Sequence, residues 1–275
     1  MKKIQFDPKY ISQCKYIIDL MLSTNCNFRC SYCDTRHEYP NYKPIKLEHA
    51  FKFIDDISVL NNVNLSLVGG EPTLYKDLNS VIDYSVDKIQ ELELYTNGSV
   101  NLEKFHLNNL KTVISIHPFF YKRYRNQILR NIQYLETCGF NFQIRLMLEP
   151  QDLTLIMNDL NKYDVINFRI FDPCTNQFIL TNYTENNKVI FVGNDLISID
   201  DYIKKYHKPK KPYLCLMNSF LILPNGNVEK YCTTEDKVIG NLFDKNVFKD
   251  LKIALKECKQ TKGCIEIEMT KYARI

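Results

Sequence analysis

The sequence predicts an α/β protein built on a parallel sheet, on two observations. Short apolar runs that read as buried strands alternate with longer segments whose apolar residues recur at helical spacing. Successive strands are also far enough apart for a helix to cross between them, as parallel pairing requires.

The first strand is Tyr16-Ile17-Ile18-Asp19-Leu20-Met21-Leu22, and the helix after it places Leu47, Ala50, Phe51, Ile54 and Ile57 on one face. Asn64-Leu65-Ser66-Leu67-Val68 is the second strand, followed by a helical stretch from about Leu78 to Ile89. Leu92-Glu93-Leu94-Tyr95 is the third and Thr112-Val113-Ile114-Ser115-Ile116 the fourth. A helix with Tyr124, Ile128, Ile132 and Leu135 on one side leads to the fifth strand, Phe142-Gln143-Ile144-Arg145-Leu146-Met147. The next helix carries Leu153, Ile156, Leu160 and Tyr163, and Val165-Ile166-Asn167-Phe168-Arg169-Ile170 is the sixth strand. Such a sheet either closes partly, as a barrel short of two units, or stays open and doubly wound. In both cases the chemistry belongs at the carboxyl ends of the strands.

Past Cys174 the alternation stops, so residues 1–174 read as one domain and 175–213 as a polar linker or insertion with one strand at Val189–Val192. Residues 214–275 read as a small α+β unit. Its opening hairpin pairs Ser219–Leu223 with Val228–Tyr231 across Pro-Asn-Gly-Asn, and a short helix runs over about 247–256.

An apolar fraction of 45% and a charged fraction of 25% are those of an ordinary globular chain. The net charge of +4 comes from 36 basic and 32 acidic residues spread along the sequence. The one long basic run, Lys204-Lys205-Tyr206-His207-Lys208-Pro209-Lys210-Lys211, reads as a solvated linker, and no nucleic-acid partner is expected. After Met1-Lys2-Lys3 there is no apolar stretch of a signal peptide, and no segment has the apolar length to span a membrane. The expected location is the cytoplasm.

In that compartment the ten cysteines should stay reduced, and metal binding becomes their leading explanation. Cys26, Cys30 and Cys33 cluster in the loop after the first strand; Cys215, Cys232, Cys258 and Cys264 fall near the end. The isolated Cys14, Cys138 and Cys174 read as half-buried small hydrophobes. Taken alone, the early cluster with His37 makes an acceptable Cys₃His zinc site, the mark of a zinc-stabilised binding module. That reading leaves other features without a purpose. Gly69-Gly70-Glu71-Pro72-Thr73 follows the second strand, Thr96-Asn97-Gly98 the third, and Ser115 and His117 end the fourth, all near the cysteines' rim. Arg145 lies within the fifth strand. A zinc staple needs no such convergence; a bound cofactor does.

The three-cysteine pattern with Tyr32 before its last member, "GGEPT" and "TNG", in this order, resembles the radical S-adenosylmethionine (SAM) superfamily over about residues 14–172. The resemblance implies a partial (βα)6 TIM-like barrel. It also implies a [4Fe–4S] cluster held by Cys26, Cys30 and Cys33, with its fourth iron left for SAM. In such enzymes reductive cleavage of SAM gives a 5′-deoxyadenosyl radical that abstracts a substrate hydrogen. SAM contacts are implied for Tyr32, Gly69, Gly70, Glu71, Pro72, Asn97, Ser115, His117 and Arg145, with Glu71 on the ammonium group. For His117 a packing role at the strand end stays open, and for Arg145 a substrate carboxylate or a structural ion pair. No catalytic residue beyond these is assigned.

The last four cysteines, with "LPNGNVEKYC" between the first two, resemble the SPASM auxiliary-cluster domain in its shortened "twitch" form. This implies one further [4Fe–4S] cluster on Cys215, Cys232, Cys258 and Cys264. Cys258 and Cys264 stand five residues apart where that domain more often has CxxC, so a Cys₄ zinc site there is the alternative. A closed auxiliary cluster favours electron transfer, hence net oxidation or cross-linking of the substrate. The short stretch before the first strand leaves no room for a peptide-binding wing. The expected substrate is therefore a sugar, aminocyclitol or nucleoside, with a ribosomally made peptide or protein side chain as the alternative. The expected electron donor is a flavodoxin or ferredoxin.

Overall fold

The computed structural model describes residues 16–30, 33, 35–36, 39, 42–60, 62–148, 154–161, 163, 166–172, 177–181, 189–192, 195–198, 213–215, 218–230, 238–243 and 256–258. Its centre is a parallel run of β1 (Tyr16–Met21), β2 (Val63–Val68), β3 (Glu91–Thr96), β4 (Lys111–Ile116), β5 (Phe142–Leu148) and β6 (Ile166–Asp172), hydrogen-bonded in sequence order. Four helices make the crossovers: α1 (Leu47–Ser58), α2 (Leu78–Val86), α3 (Pro118–Thr137) and α4 (Thr154–Leu160). The β3–β4 connection carries only a 3₁₀ turn at Leu102–Lys104. This is the expected α/β architecture, and all six strands fall where the apolar runs placed them.

Side chains alternate between two faces along each strand. Ile18, Leu20, Leu65, Leu67, Leu94, Ile114, Ile144 and Leu146 are buried in one core with Phe53, Ile54 and Ile57 of α1, Val81 and Ile82 of α2, and Ile128, Ile132 and Leu135 of α3. Each of these contributes about 1.5–3 kcal/mol through burial. The alternate positions Asp19, Ser66, Glu93, Tyr95, Ser115 and Arg145 occupy the opposite, polar face. Pro118 opens α3 at its first position, where its missing N–H costs no hydrogen bond.

The sheet does not stop at its parallel core. β7 (Gln177–Thr181) adds antiparallel to β6, and β8 (Val189–Val192) pairs with β9 (Asp195–Ser198). β10 (Tyr213–Cys215) pairs with β14 (Lys256–Cys258). The expected hairpin is present as β11 (Asn218–Ile222) and β12 (Asn227–Lys230), with Gly226 at φ +86° in its turn. β11 lies parallel beside β1, and β13 (Val238–Asn241) follows β12. The order is β13-β12-β11-β1-β2-β3-β4-β5-β6-β7. The placement has a physical cause: β1 would otherwise be an exposed edge, and Phe220, Ile222, Val228 and Leu242 join the main core. Of the helix expected over 247–256, only Lys256 is described, and it opens β14. No helix among the described residues is long and apolar enough to cross a membrane.

Candidate functional site

The loops after β1 and β2 are joined through their backbones. Leu22 N donates to Val68 O at 3.0 Å, Gly70 N to Ser23 O at 2.8 Å and Glu71 N to Asn25 O at 2.7 Å. A Cβ at Gly70 would stand 2.2 Å from Asn25 O, and one at Gly69, whose φ is +153°, 2.3 Å from Ser23 O. Both glycines are therefore required by the close approach of the cysteine loop itself.

Glu71 is the joint between the second and third loops. It is 1% exposed, and burial pushes its carboxyl above the usual range while the donors around it pull the other way. Its Oε1 accepts from Thr73 N at 3.1 Å, Thr73 Oγ1 at 2.5 Å and Thr96 Oγ1 at 2.7 Å; its Oε2 accepts from Asn97 N at 2.7 Å. Pro72 is buried at the start of a 3₁₀ turn that Glu71 caps. From the third loop, Asn97 Nδ2 donates to Asn27 Oδ1 at 3.0 Å and stands 4.0 Å from Cys26 Sγ. Asn27 Nδ2 in turn donates to Ser99 Oγ at 2.7 Å.

The fourth strand end reaches the same cysteines. His117, the residue before α3, has Nδ1 3.5 Å from Cys30 Sγ, and burial pushes its imidazole down to about 4. Phe28, 5% exposed, meets the His117 ring edge-on at 5.7 Å, stacks on Phe120 at 4.3 Å and packs on Tyr124 at 5.0 Å. The loop between Cys26 and Cys30 is thus anchored to α3 by an aromatic cluster.

Ser115 and Arg145 are register partners on β4 and β5. The Arg145 guanidinium lies 5.0 Å from the Tyr95 ring centroid, and its Nε is buried without a hydrogen-bond partner among the described residues. Tyr95 donates its hydroxyl to Glu93 at 2.8 Å, and burial pushes the phenol up to about 12. On the far side of the cysteines, Tyr39 donates to Glu229 Oε2 of β12 at 2.5 Å, both residues being 8% exposed.

Of the residues singled out in the sequence, Gly69, Gly70, Glu71, Asn97, His117, Cys26 and Cys30 lie together at this end of the sheet, and Cys33 N bonds Cys30 O at 3.4 Å. None of Cys26, Cys30, Cys33 and Cys138 forms a disulfide. Cys138 is exposed at the end of α3, a correction to its reading as a half-buried hydrophobe, because the helix turns it away from the sheet. Tyr32, His37, Cys14, Cys174, Cys232 and Cys264 lie outside the described residues. For Cys215 and Cys258 the register alone is described: Cys258 is opposite Tyr213 and Cys215 opposite Lys256. Among the described residues no three His, Cys, Asp or Glu side chains stand close enough to share a single metal ion. A groove of about 720 Å³ lies at the amino ends of β3–β5, lined by Glu91, Glu93, Leu107, Lys111 and Phe140, and holds none of the motif residues. Phe28, Ser99, Tyr95 and Tyr39 were not expected at the site; only Ser99, directly after "TNG", carried a local signal.

The described geometry is that of a parallel βα domain whose cysteine loop packs against glycine-containing loops at the carboxyl ends of its strands. Residues 20–150 match the family described as the Radical SAM superfamily. The chain is 30% identical over 88 residues to an S-adenosylmethionine-dependent nucleotide dehydratase of Selenomonas ruminantium, covering 32% of this chain and 31% of that one. It is 31% identical over 146 residues to a 7-carboxy-7-deazaguanine synthase of Clostridium acetobutylicum, covering 52% and 55%. The chain therefore spans about a third to about half of these curated relatives. Among solved structures, native anSMEcpe with bound AdoMet and the Kp18Cys peptide aligns with a TM-score of 0.58 at 14% identity, over 85% of this chain and 80% of that one. That likeness shows the fold.

Proposed function

We propose that the chain is a radical SAM enzyme in which Cys26, Cys30 and Cys33 hold a [4Fe–4S] cluster with one iron open to SAM. The observation that carries this reading is a buried guanidinium nitrogen with no hydrogen-bond partner among the described residues. That nitrogen is Nε of Arg145, whose register partner is Ser115. A buried, unpaired guanidinium nitrogen is costly in a finished protein, and a carboxylate ligand removes that cost. The methionine moiety of SAM supplies such a group. When bound, the reduced cluster supplies the electron for breaking a carbon–sulfur bond of SAM.

The chain's own residues bind and orient. The thiols of Cys26, Cys30 and Cys33, none of them in a disulfide, are the donor set for iron. Glu71 Oε2 accepts one hydrogen bond and keeps a lone pair for an ammonium donor. Backbone at Gly69, Gly70, Pro72 and Tyr32 lines the cofactor, and Asn97 and His117 flank the sulfurs of Cys26 and Cys30. The names of both curated relatives, a nucleotide dehydratase and a deazaguanine synthase, support a small molecule of nucleoside type as the substrate. Cys215, Cys232, Cys258 and Cys264 would hold a second [4Fe–4S] cluster, which would supply an acceptor for a substrate electron and so favour net oxidation or cross-linking. The register that sets Cys215 and Cys258 one diagonal step apart supports this site. A flavodoxin or ferredoxin supplies the reducing electron.

Anaerobic reconstitution tests the reading. The expected result is about eight irons per chain and reductant-dependent 5′-deoxyadenosine, with about four irons left in Cys258→Ala. Cys30→Ala should form no 5′-deoxyadenosine. A colourless protein that holds zinc and takes up no iron would overturn the enzyme reading. An unchanged iron count in Cys258→Ala would remove the second cluster alone.

A further inference from the structure

Asn131 sits in the middle of α3 and is 1% exposed. Its Nδ2 donates to Gly98 O at 2.8 Å and Val100 O at 2.7 Å. Its Oδ1 accepts from Leu102 N at 3.0 Å and from Gln127 Nε2 at 3.0 Å. A side-chain amide has two donor hydrogens and two lone pairs, so every one of them is used. Asparagine is a mediocre helix former, and a buried helix position favours an apolar residue. The amide therefore serves the loop it grips.

That loop begins with Asn97, the residue that reaches Cys26 and Asn27. Gly98 follows at φ +69°, and a Cβ there would meet Ile114 Cγ2 at 3.0 Å and Ile128 Cγ1 at 3.4 Å. Ile128 precedes Asn131 by almost one helical turn, so one face of α3 supports the loop from below while the amide holds its carbonyls. Ser99 N and Oγ then donate to Asn97 Oδ1 at 2.9 and 2.5 Å, which fixes the direction of the Asn97 amide. Nearer its start, the same helix presents Phe120 and Tyr124 to Phe28, and His117 precedes it beside Cys30. From His117 to Asn131 the helix spans about 21 Å at 1.5 Å per residue. One rigid rod thus sets the cysteine loop and the Thr-Asn-Gly loop against each other.

We propose that Asn131 is a positioning residue for SAM binding, acting through the 97–102 loop on Asn97; this rests on the radical SAM reading above. Asn131→Asp keeps the acceptor for Leu102 N and removes both donors to the loop carbonyls. The expected result, in the full chain reconstituted anaerobically, is wild-type iron content and a SAM KM raised about tenfold (about 1.4 kcal/mol). The kcat at saturating SAM should stay within about threefold, because a binding interaction shared by ground and transition states acts on KM. The SAM-induced change in the EPR signal of the reduced cluster should need correspondingly more SAM. Gln127→Ala, which frees only the orientation of the Asn131 amide, should move KM the same way by about two- to threefold. Unchanged KM in both variants, a fall in kcat alone, or loss of iron in step with loss of binding would each overturn the proposal. If the wild-type protein cleaves no SAM, it is the radical SAM reading that fails. The clamp itself is then judged by hydrogen exchange of residues 98–102 in metal-free protein, where Asn131→Asp exchanging no faster than wild type would refute it.

Discussion

Replacing Gly70 by Ala probes the contact on which the whole site depends. Gly70 is not in the left-handed region, so alanine meets no backbone strain there, and its entire cost comes from neighbours. The new Cβ would stand 2.2 Å from Asn25 O, 2.5 Å from Asn25 C and 2.6 Å from Thr24 O. All three are backbone atoms and cannot rotate away. Relief by about 1 Å would stretch the Gly70 N–Ser23 O and Glu71 N–Asn25 O bonds, at about 1 kcal/mol each. Overpacking adds about 1–3 kcal/mol. The sum, about 3–5 kcal/mol, lowers the melting midpoint by about 6–20 °C. It also moves the cysteine loop away from Glu71, so iron uptake should fall. Thermal melting of metal-free protein and iron content after reconstitution read the two effects separately. Gly139→Ala is the control: no atom lies within 4 Å of its Cβ, but its φ is +68°. It should cost about 1–2 kcal/mol of backbone strain and leave iron uptake alone. A Gly70→Ala protein that melts within 2 °C of wild type, on about the resolution these slopes allow, and binds full iron would refute the close-approach account.

Tyr39→Phe should lower stability by about 1–3 kcal/mol, because Glu229 loses its hydroxyl donor while it stays buried; a denaturant melt measures it, and a double-mutant cycle with Glu229→Gln isolates the pair. Phe28→Ala should cost about 3–5 kcal/mol and reduce iron retention, since the loop between Cys26 and Cys30 loses its hold on Phe120 and Tyr124. Asp159, chelated by Arg125 through Nε and Nη2 and hydrogen-bonded by Tyr121, has its carboxyl held below the usual range by Arg125 first. Its stabilisation is therefore complete above about pH 4 and is lost as pH falls through the lowered value. Asp159→Asn should flatten the acid limb of a stability–pH curve and leave it parallel to wild type above about pH 5.

The strand-and-helix frame was legible because each element announces itself locally. Ile18, Leu20, Leu65 and Leu67 alternate within runs too short for a helix, and Ala50, Ile54 and Ile57 recur at a helical period. The motif residues were legible as kinds of chemistry placed at strand ends. What sequence did not carry were contacts made across large separations. Nothing near Asn131 marks it as the partner of a loop about 30 positions earlier, and a buried helical Asn looks like any surface one. Tyr39 and Glu229 meet across 190 positions for the same reason. The hairpin was visible from its turn, but its place beside β1 depends on which edge of the sheet lacks a partner, a property of the assembled sheet alone.

Glu71 and Arg145 were both expected at SAM, yet they make unequal tests of it. Glu71 ties its own turn to the end of β3, so Glu71→Ala would leave Thr73, Thr96 and Asn97 donors unpaired and damage fold and function together. Its phenotype could not be assigned to a cofactor. Arg145 is the reverse case. Its described side-chain contact is the Tyr95 ring, worth about 0.5–2 kcal/mol, and its buried Nε has no hydrogen-bond partner among the described residues. Arg145→Met should keep the volume of the stem, remove an uncompensated polar atom and change stability by no more than about 1 kcal/mol. If Arg145 receives the carboxylate, the lost charge-assisted bond weakens SAM binding by about 1.5–3 kcal/mol, or roughly 10- to 150-fold. A melt and a SAM titration on the same sample decide the matter. Lost stability with unchanged SAM affinity would make Arg145 a structural cation and return its pairing to the polar face around Tyr95.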